Sequence, residues 1–276
     1  MDLASEIERN VAEALAEDIG AGDWTARLTP EGRAAQAVVL CRTEAVLCGQ
    51  AWFDTCLRTL DPQALIAWRF KEGASMTAGT QVCDITADTR ALLTAERTAL
   101  NFLQMLSAVA TATRRYVDAI AGTRAAIVDT RKTLPGLRLA QKYAVRVGGG
   151  VNHRLGLYDG MLIKENHIST AGGVTRALEQ ARRIAPAEVW IQIEVETPVQ
   201  LEEALHAGAK MILLDNMTID QMRDAVALTA GRAQLEASGG VTLENVRAIA
   251  ETGVARISIG ALTKDIDAVD LSMRFV

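Results

Sequence analysis

The sequence predicts an α/β protein whose second half is a parallel sheet covered by helices. After Gly122, six short apolar runs alternate with helix-like segments, at intervals of 20 to 30 residues. The apolar runs are nearly continuous, which is typical of strands that are buried on both faces. Repeated strand–helix units of this length favour a barrel of the β/α type. Six units are fewer than the eight of a closed barrel, which leaves an incomplete barrel open.

The first part of the chain has a different texture. Ile7, Val11 and Leu15 recur at every fourth residue, which predicts a helix that ends at the turn "GAGDWT". Short apolar runs between turn residues then predict an antiparallel sheet over 36–86. Residues 92–120 contain no Gly or Pro and are rich in Ala and Leu, which predicts one or two helices.

The units of the second half are visible as short motifs. The predicted strands are "AAIVDT", "GMLIKE", "VWIQIEVE", "KMILLDN", "AQLEASGG" and "ARISIG". The predicted helices between them are 136–147, 173–185, 198–207, 218–229 and 242–252.

Composition excludes several functional classes. The net charge of -5 argues against a general nucleic-acid-binding protein, which is usually basic. No stretch has the length and apolarity of a membrane span, and the acidic N-terminus does not resemble a secretory signal. The four cysteines match no zinc or redox motif, so we expect buried free thiols and a cytoplasmic protein.

Polar residues with chemical capability stand at the end of every predicted strand. They are Arg131 with Lys132, Lys164 with Glu165 and Asn166, Glu194 with Glu196, Asp215 with Asn216, Ser238 with Gly239 and Gly240, and Gly260. The carboxyl ends of parallel strands meet on one face, and that face carries the active site in such barrels. We therefore expect these residues to converge on one pocket.

The glycine-rich strand ends favour a phosphate site. The turn at Ser238–Gly240 and the later turn at Gly260 offer backbone N–H groups, and a following helix would add its positive end. The last two loops of a barrel often bind phosphate. Glu194 and Asp215 are either partners for nearby cations or ligands of Mg²⁺ or ribose hydroxyls, and the neighbouring phosphate site favours the second role.

Cations are concentrated between residues 130 and 154, where Asp and Glu are absent. Arg131, Lys132, Arg154 and Lys164 lie at strand ends or in the adjoining loop, and their mutual repulsion indicates a ligand with several negative charges. His153 follows a glycine run and is expected to face that ligand, whereas His167 fits a structural or a site role equally well. A second set is spaced four apart and is expected on a solvated helix face: Arg138, Lys142 and Arg146.

Longer motifs resemble a known family. "DTRKTLPGLR", "KYAV..GGG.NHR.GL.D..LIKENH", "LLDNM", "SGGV" and "ISIGALT" are similar to the quinolinate phosphoribosyltransferase family, as are "EDIGAGDWT" and "AERTALNFLQMLS". The resemblance covers nearly the whole chain. Two small departures, Ala108 and Leu134, replace residues that are commonly Gly and Thr in the family and touch no charged position.

The resemblance implies a fold and a reaction. The expected fold is an N-terminal mixed α/β, sandwich-like domain over 1–112 and an incomplete, open α/β barrel over 113–265, with 266–276 packing back on the first domain. The implied reaction joins quinolinate to phosphoribosyl pyrophosphate with Mg²⁺ and yields nicotinate mononucleotide, pyrophosphate and CO₂, on the route to NAD. The implied assembly is a homodimer, with no nucleic-acid or membrane partner.

The resemblance also assigns roles to residues. It implies that Thr130, Arg131, His153, Arg154 and Lys164 line the quinolinate pocket and that Lys132 reaches phosphoribosyl pyrophosphate. Glu194 and Asp215 match the ribose and metal ligands, directly or through the substrate. Arg97 matches an arginine that the partner subunit inserts. The implied phosphate contacts are Ser238, Gly239, Gly240, Gly260 and Ala261.

Three alternatives stay open at this stage. A related protein of molybdenum-transport operons shares much of this scaffold. An aldolase-like barrel would use Lys132 or Lys164 as a Schiff-base amine, although the crowding arginines argue against it. A phosphate-binding barrel without catalysis is the third alternative, and the intact Lys132, Glu194 and Asp215 set argues against that one.

Overall fold

The computed structural model describes residues 2–276. Its helices are α1 (Leu3–Ile19), α2 (Gln50–Leu60), α3 (Thr89–Ala119), α4 (Arg138–Val147), α5 (Glu165–Ala171), α6 (Val174–Ile184), α7 (Pro198–His206), α8 (Ile219–Thr229), α9 (Val246–Ala250) and α10 (Ala261–Lys264). Its strands are β1 (Ala34–Cys41), β2 (Ala45–Val46), β3 (Leu65–Trp68), β4 (Ser75–Met76), β5 (Gln81–Asp88), β6 (Ala126–Val128), β7 (Gly160–Ile163), β8 (Trp190–Val195), β9 (Met211–Asp215), β10 (Gln234–Ser238), β11 (Arg256–Ser258) and β12 (Leu271–Phe275).

The chain forms two compact units. The first comprises the chain through Arg114 together with Thr133–Gly149 and Leu262–Val276, and the second comprises Arg115–Lys132 and Gly150–Ala261. The predicted fold class, a mixed α/β part and a parallel α/β barrel-like part, is confirmed. No helix in the described part of the chain combines the length and the apolar character needed to cross a membrane.

The first unit is built on a four-stranded antiparallel sheet in the order β12-β1-β5-β3. The C-terminal strand β12 pairs with β1, with Leu271 opposite Cys41. The helix α2 was not expected within the predicted all-strand region. It buries Trp52 and Phe53 in the core of this unit, and its amphipathic repeat is masked in the sequence by the Cys, Gly and Thr residues around it.

The helix α4 belongs to this first unit, although the sequence placed it inside the barrel domain. Its residues Ala140, Ala144 and Val145 are fully buried in the core of the first unit. The ring of Tyr143 packs at 5.5 Å from that of Trp52. The strand–helix alternation is therefore continuous in sequence, but the packing of α4 is decided by long-range contacts.

The packing of α4 also corrects a residue assignment. Lys142 was expected on a solvated face with Arg138 and Arg146, yet only Arg146 is exposed, and Lys142 is 1% exposed. Residues spaced four apart share one side of a helix but are displaced by about 40° at each step. This drift does not account for the burial of Lys142, because Arg146, one step further, is exposed; Lys142 is buried together with its neighbours Gln141 and Ala144.

The second unit contains a six-stranded parallel sheet in the order β6-β11-β10-β9-β8-β7. All six predicted strands are present, and α6, α7 and α8 fall within the predicted helical segments. The predicted helix over 242–252 is shorter, because α9 begins only at Val246. The helix α5 was not expected. Because β6 and β7 form the two edges of this sheet, the barrel is open between them.

A short segment occupies the region between the two edge strands. Val151 forms an isolated parallel bridge with Val128 of β6, and its N–H donates to the carbonyl of Ile127 at 2.8 Å. Three residues later, the Arg154 guanidinium donates to the carbonyl of Gly160 at the start of β7. The segment 151–154 therefore contacts both edges, and it carries two of the predicted site residues.

Candidate active site

The end of β6 meets the end of β11. The N–H of Lys132 donates to the Thr130 hydroxyl at 3.0 Å, which turns the chain directly after the strand. The Lys132 side chain then lies against Gly260, where a Cβ atom would stand 2.9 Å from Lys132 Cδ. The Gly residue thus provides the space that the Lys132 side chain occupies, and Thr130, Lys132 and Gly260 form one corner of the site.

A buried carboxylate organises the neighbouring loop. Asp129 is fully buried, accepts the His153 backbone N–H at 2.8 Å and accepts the Asn152 amide at 2.6 Å. Charged acceptors form stronger hydrogen bonds than neutral ones, so this carboxylate is an effective anchor. Sequence reasoning did not single out Asp129. The signal was available, since Asp129 follows a buried strand as Asp215 does.

Two arginines approach each other beside this loop. The pKa of Arg154 is lowered, first because burial penalises its charge and then because the charge of Arg131 is close. Arg131 Nε is buried and makes no hydrogen bond within the described residues. A buried donor without a partner and a repelled pair of cations both favour an anionic ligand at this position.

The ring of His153 is held by protein groups at both nitrogens. Nδ1 accepts the backbone N–H of Arg154 at 2.8 Å, and Nε2 lies 2.9 Å from the Gln192 side-chain oxygen. The ring also meets Trp190 in an edge-on contact at 5.0 Å. His153 is 8% exposed, so it forms the buried base of this wall and holds Arg154 in place.

Lys164 and two carboxylates form the next part of the site. Lys164 Nζ lies 3.7 Å from Glu194 Oε2 at the end of β8. The pKa of Glu194 is raised chiefly by burial, while Lys164 opposes the shift and the charge of Asp215 adds to it. His167, whose role the sequence left open, accepts the N–H of Lys164 through Nδ1 and so caps α5.

Glu194 and Asp215 are the oxygen donors that this part of the site offers to Mg²⁺. Among the described residues, no cluster of three or more acidic, His or Cys side chains could hold a metal. Mg²⁺ is commonly bound by one or two carboxylates together with substrate phosphates and waters. The Glu194 and Asp215 pair fits a magnesium ion that arrives with a phosphorylated substrate.

The glycine turn after β10 lies beside Asp215, one of these two carboxylates. Ser238 is paired with Asp215 across β10 and β9. Asn216 adopts a left-handed φ of 53°, donates to Asp215 and packs against Gly239, where any Cβ would collide with it. The expected helix does not follow directly, since α9 begins at Val246. This turn therefore presents the backbone N–H groups of Gly239 and Gly240 without the N-terminus of a helix directly behind them.

The remaining predicted residues lie elsewhere. Ala261 begins α10, directly after Gly260. Arg97 is exposed on α3 of the first unit, beside a cavity of about 510 Å³ that is also lined by Glu13, Glu17 and Asp18. The structure thus brings the strand-end residues of the second unit together, whereas Arg97 belongs to the first unit.

Two further polar residues were missed by the sequence reasoning. Gln192 and Glu236 are fully buried within β8 and β10, below the strand ends. Their signal was a polar side chain inside an otherwise apolar strand, in "WIQIEV" and "QLEAS". Buried polar groups of this kind are retained only where they have partners.

Comparisons with known proteins agree with this geometry. The profile described as "Quinolinate phosphoribosyl transferase, N-terminal domain" matches residues 23–107, and the C-terminal domain of the same family matches residues 109–274. A Mycobacterium leprae protein named nicotinate-nucleotide pyrophosphorylase [carboxylating] is 42% identical, over 95% of this chain and 95% of its own length. The structure of the nicotinate-nucleotide pyrophosphorylase from Francisella tularensis has a TM-score of 0.96 and 42% identity, over 100% of this chain and 98% of the other.

The open barrel, its anion-binding strand ends and these likenesses define a phosphoribosyltransferase. The chain belongs to the quinolinate phosphoribosyl transferase family, which the two family profiles match over most of its length. The family resemblance in the sequence motifs is thereby confirmed.

Replacing Glu194 by Gln should stabilise the protein at neutral pH. The native pKa of Glu194 lies above its ordinary value of 4.5. In the pH window between the ordinary and the native pKa, the native state therefore binds more protons than the unfolded state. Stability contributed by the protonated carboxyl is therefore lost as pH rises through the window. Denaturant unfolding of Glu194→Gln should match the wild type below pH ~4 and show a higher free energy of unfolding above the window.

The matched control for this experiment is Glu188→Gln, which removes an exposed carboxylate that lies just before β8 and does not contribute to the raised pKa of Glu194. It should leave the pH dependence of the free energy of unfolding unchanged. A Glu194→Gln protein that is less stable than the wild type at pH 7 would contradict the electrostatic argument.

Proposed function

We propose that the strand-end site transfers the phosphoribosyl group of 5-phosphoribosyl 1-pyrophosphate to quinolinate in an Mg²⁺-dependent, decarboxylating reaction of NAD biosynthesis. The products are nicotinate mononucleotide, pyrophosphate and CO₂. The observation that carries the proposal is the buried, unpartnered Arg131 Nε next to the repelled Arg154 guanidinium. That arrangement requires an anion, and the carboxylate pair and glycine turns beside it suit a phosphorylated sugar.

The cationic wall is suited to a pyridine dicarboxylate. Arg131 and Arg154 offer planar forks that match carboxylate geometry, and Lys164 offers a point charge. His153 supports the wall through the backbone of Arg154. Held by two carboxylates, the substrate cannot rotate freely, so its ring nitrogen is aimed at the sugar carbon that it must attack.

The second substrate is assigned to the other side of the face. Lys132 and Thr130 would contact phosphoribosyl pyrophosphate, and the N–H groups of Gly239, Gly240 and the Gly260–Ala261 turn would bind its phosphates. As the ring nitrogen bonds to the sugar carbon, the bond to pyrophosphate breaks and positive charge develops on the ribose. Glu194 and Asp215 are placed at adjacent strand ends to bind the ribose and to stabilise that charge.

Magnesium would be held by Glu194 and Asp215 together with the pyrophosphate group, and it would neutralise negative charge on that group. In the decarboxylation, the bond from the ring to one carboxyl group breaks, and its electron pair stays on the ring carbon. The adjacent cationic ring nitrogen stabilises this pair until a proton replaces the lost CO₂. The arginines contribute by fixing the other carboxylate, and no covalent intermediate with the protein is required.

We further propose a homodimer in the cytoplasm, in which Arg97 of one subunit contacts the substrate bound to the other. The support for this role is the exposure of Arg97 and its distance in sequence from the strand-end set. The four buried free cysteines, Cys41, Cys48, Cys56 and Cys83, suit a reducing compartment.

The proposed reaction predicts a strict stoichiometry. Purified protein with phosphoribosyl pyrophosphate, Mg²⁺ and quinolinate should release one CO₂ for each mononucleotide formed, measured with carboxyl-labelled quinolinate and chromatography. Nicotinate should give no product, because it lacks the carboxylate that the second arginine binds. Removal of Mg²⁺ with a chelator should abolish turnover, and equal turnover with nicotinate would overturn the proposal.

Removal of the Lys132 charge should slow turnover strongly. Loss of one preorganised charged contact costs about 3 kcal/mol, which is on the order of a hundredfold, so Lys132→Met should lose about that factor in kcat. Gly260→Ala should lower kcat in the same direction, because its Cβ would displace the Lys132 side chain. Steady-state kinetics and thermal unfolding distinguish this effect from misfolding.

The control for the Gly260 variant is Gly231→Ala, at an exposed turn where a Cβ meets no atom within 4 Å; the left-handed φ of 76° at this position should lower the stability of the variant, but the added Cβ does not touch Lys132. Gly231→Ala should retain wild-type kcat. A Gly260→Ala protein with normal kcat would show that the position of Lys132 is not critical.

Complementation between subunits tests Arg97. Arg97→Ala and Lys132→Met proteins should each turn over slowly, Lys132→Met at on the order of a hundredth of the wild-type rate, whereas a mixture that has exchanged subunits should regain up to about a quarter of wild-type activity. One site of the mixed dimer then has both residues intact. No recovery, with exchange verified by tagged subunits, would contradict the role across the interface.

A further inference from the structure

A continuous chain of buried polar groups runs beneath the strand-end face, inside the second unit. Arg256 Nε on β11 donates to Glu236 Oε2 at 2.8 Å, and Gln192 Nε2 donates to the same oxygen at 3.2 Å. The other atom of the Gln192 amide, Oε1, lies 2.9 Å from His153 Nε2. The chain therefore leads from Arg256 through three further side chains to Arg154, whose N–H binds His153 Nδ1.

The two carboxylate oxygens of Glu236 differ in their hydrogen bonding. Oε1 is buried and accepts no hydrogen bond within the described residues, although Glu236 is fully buried. It lies 3.6 Å from His153 Nε2. Leaving a buried charged acceptor unsatisfied costs free energy, which a merely structural pair with Arg256 would not require. The free oxygen faces the ring that supports the substrate wall.

This arrangement fixes the hydrogen positions of the His153 ring. Because Nδ1 accepts a backbone N–H, the ring hydrogen is assigned to Nε2, which faces the Gln192 oxygen and the free Glu236 oxygen. The other tautomer would set two N–H donors against each other at Arg154, and a flipped ring would put a carbon atom in place of the acceptor Nδ1. The orientation of the ring thus determines where the backbone of Arg154, and with it the guanidinium facing Arg131, is held.

We propose that Glu236 is a positioning residue for the pyridine dicarboxylate. Through Gln192 and through its free oxygen, which faces Nε2, Glu236 holds the His153 ring, and the ring holds Arg154. It does not touch substrate. The inference rests on the proposed function, because it concerns the dicarboxylate half of that same site. It goes beyond that function by assigning the affinity for one substrate, and not the other, to a carboxylate inside the barrel.

The test is the kinetics of the full-length Glu236→Gln enzyme with each substrate varied in turn. The new amide keeps an oxygen for Arg256 and Gln192 but places an NH₂ group opposite the ring N–H, so the ring must turn. The KM for quinolinate should rise about 10- to 100-fold, while the KM for phosphoribosyl pyrophosphate stays within about twofold. The control Glu251→Gln breaks an exposed pair with Arg247 and should change neither constant.

A second variant separates this role from a loss of the buried ion pair. Gln192→Met cuts the link while the Arg256–Glu236 pair remains, and it should raise the quinolinate KM by a similar factor. If Glu236 and Gln192 both act by holding the His153 ring, the quinolinate KM of the double variant should be no higher than that of the poorer single variant, whereas independent roles would multiply.

The results with these variants either support or contradict the positioning role of Glu236. An unchanged quinolinate KM, a parallel rise in both KM values, multiplied effects or the failure of both variants to fold would overturn the positioning role. A wild-type enzyme that does not use quinolinate would instead overturn the proposed function itself.

Discussion

Repulsion among cations is the interaction around which the second unit is organised. Two charges 4 Å apart interact by about 4 kcal/mol at the effective dielectric of a partly buried site, so guanidinium groups are not brought together without compensation. Arg131 and Arg154 are nevertheless close enough for one to lower the pKa of the other. The charge of Asp159 opposes this lowering of the Arg154 pKa, and the anionic ligand proposed for the site would supply further compensation.

Two buried carboxylates of the second unit, Asp129 and Glu194, differ in the groups that compensate their charges. Asp129 receives hydrogen bonds at both oxygens and fixes the loop that carries His153. Burial is the main reason why the pKa of Glu194 is raised; the charge of Asp215 adds to the shift, and Lys164, with its Nζ at 3.7 Å, opposes it. Asp129 is thus a structural anchor, whereas the charge of Glu194 is only partly compensated by protein groups. Carboxylates therefore serve two different purposes within the second unit.

The sequence predicted the strands of the second unit and their polar ends, but it did not predict how the helix α4 packs. All six strands of the parallel sheet follow from apolar periodicity, and the strand ends are where parallel chains must converge. The assignment of α4 to the first unit could not be read in the same way, since Ala140 and Ala144 fit against any apolar surface. The burial of Lys142 had the same cause. Which face of a helix is covered depends on distant residues such as Trp52, and no local pattern records that.

The open edge of the barrel explains why the glycine-rich segment is also the functional one. A six-stranded parallel sheet leaves unpaired backbone groups on β6 and β7, and such edges must be covered. The segment 151–154 covers both, through the N–H of Val151 to Ile127 and the guanidinium of Arg154 to Gly160. The hydrogen bond from the Arg154 guanidinium to the carbonyl of Gly160, at 3.2 Å, ties this side chain to the edge of the sheet. The open edge of the barrel therefore helps to position one of the cations that we propose to bind the dicarboxylate.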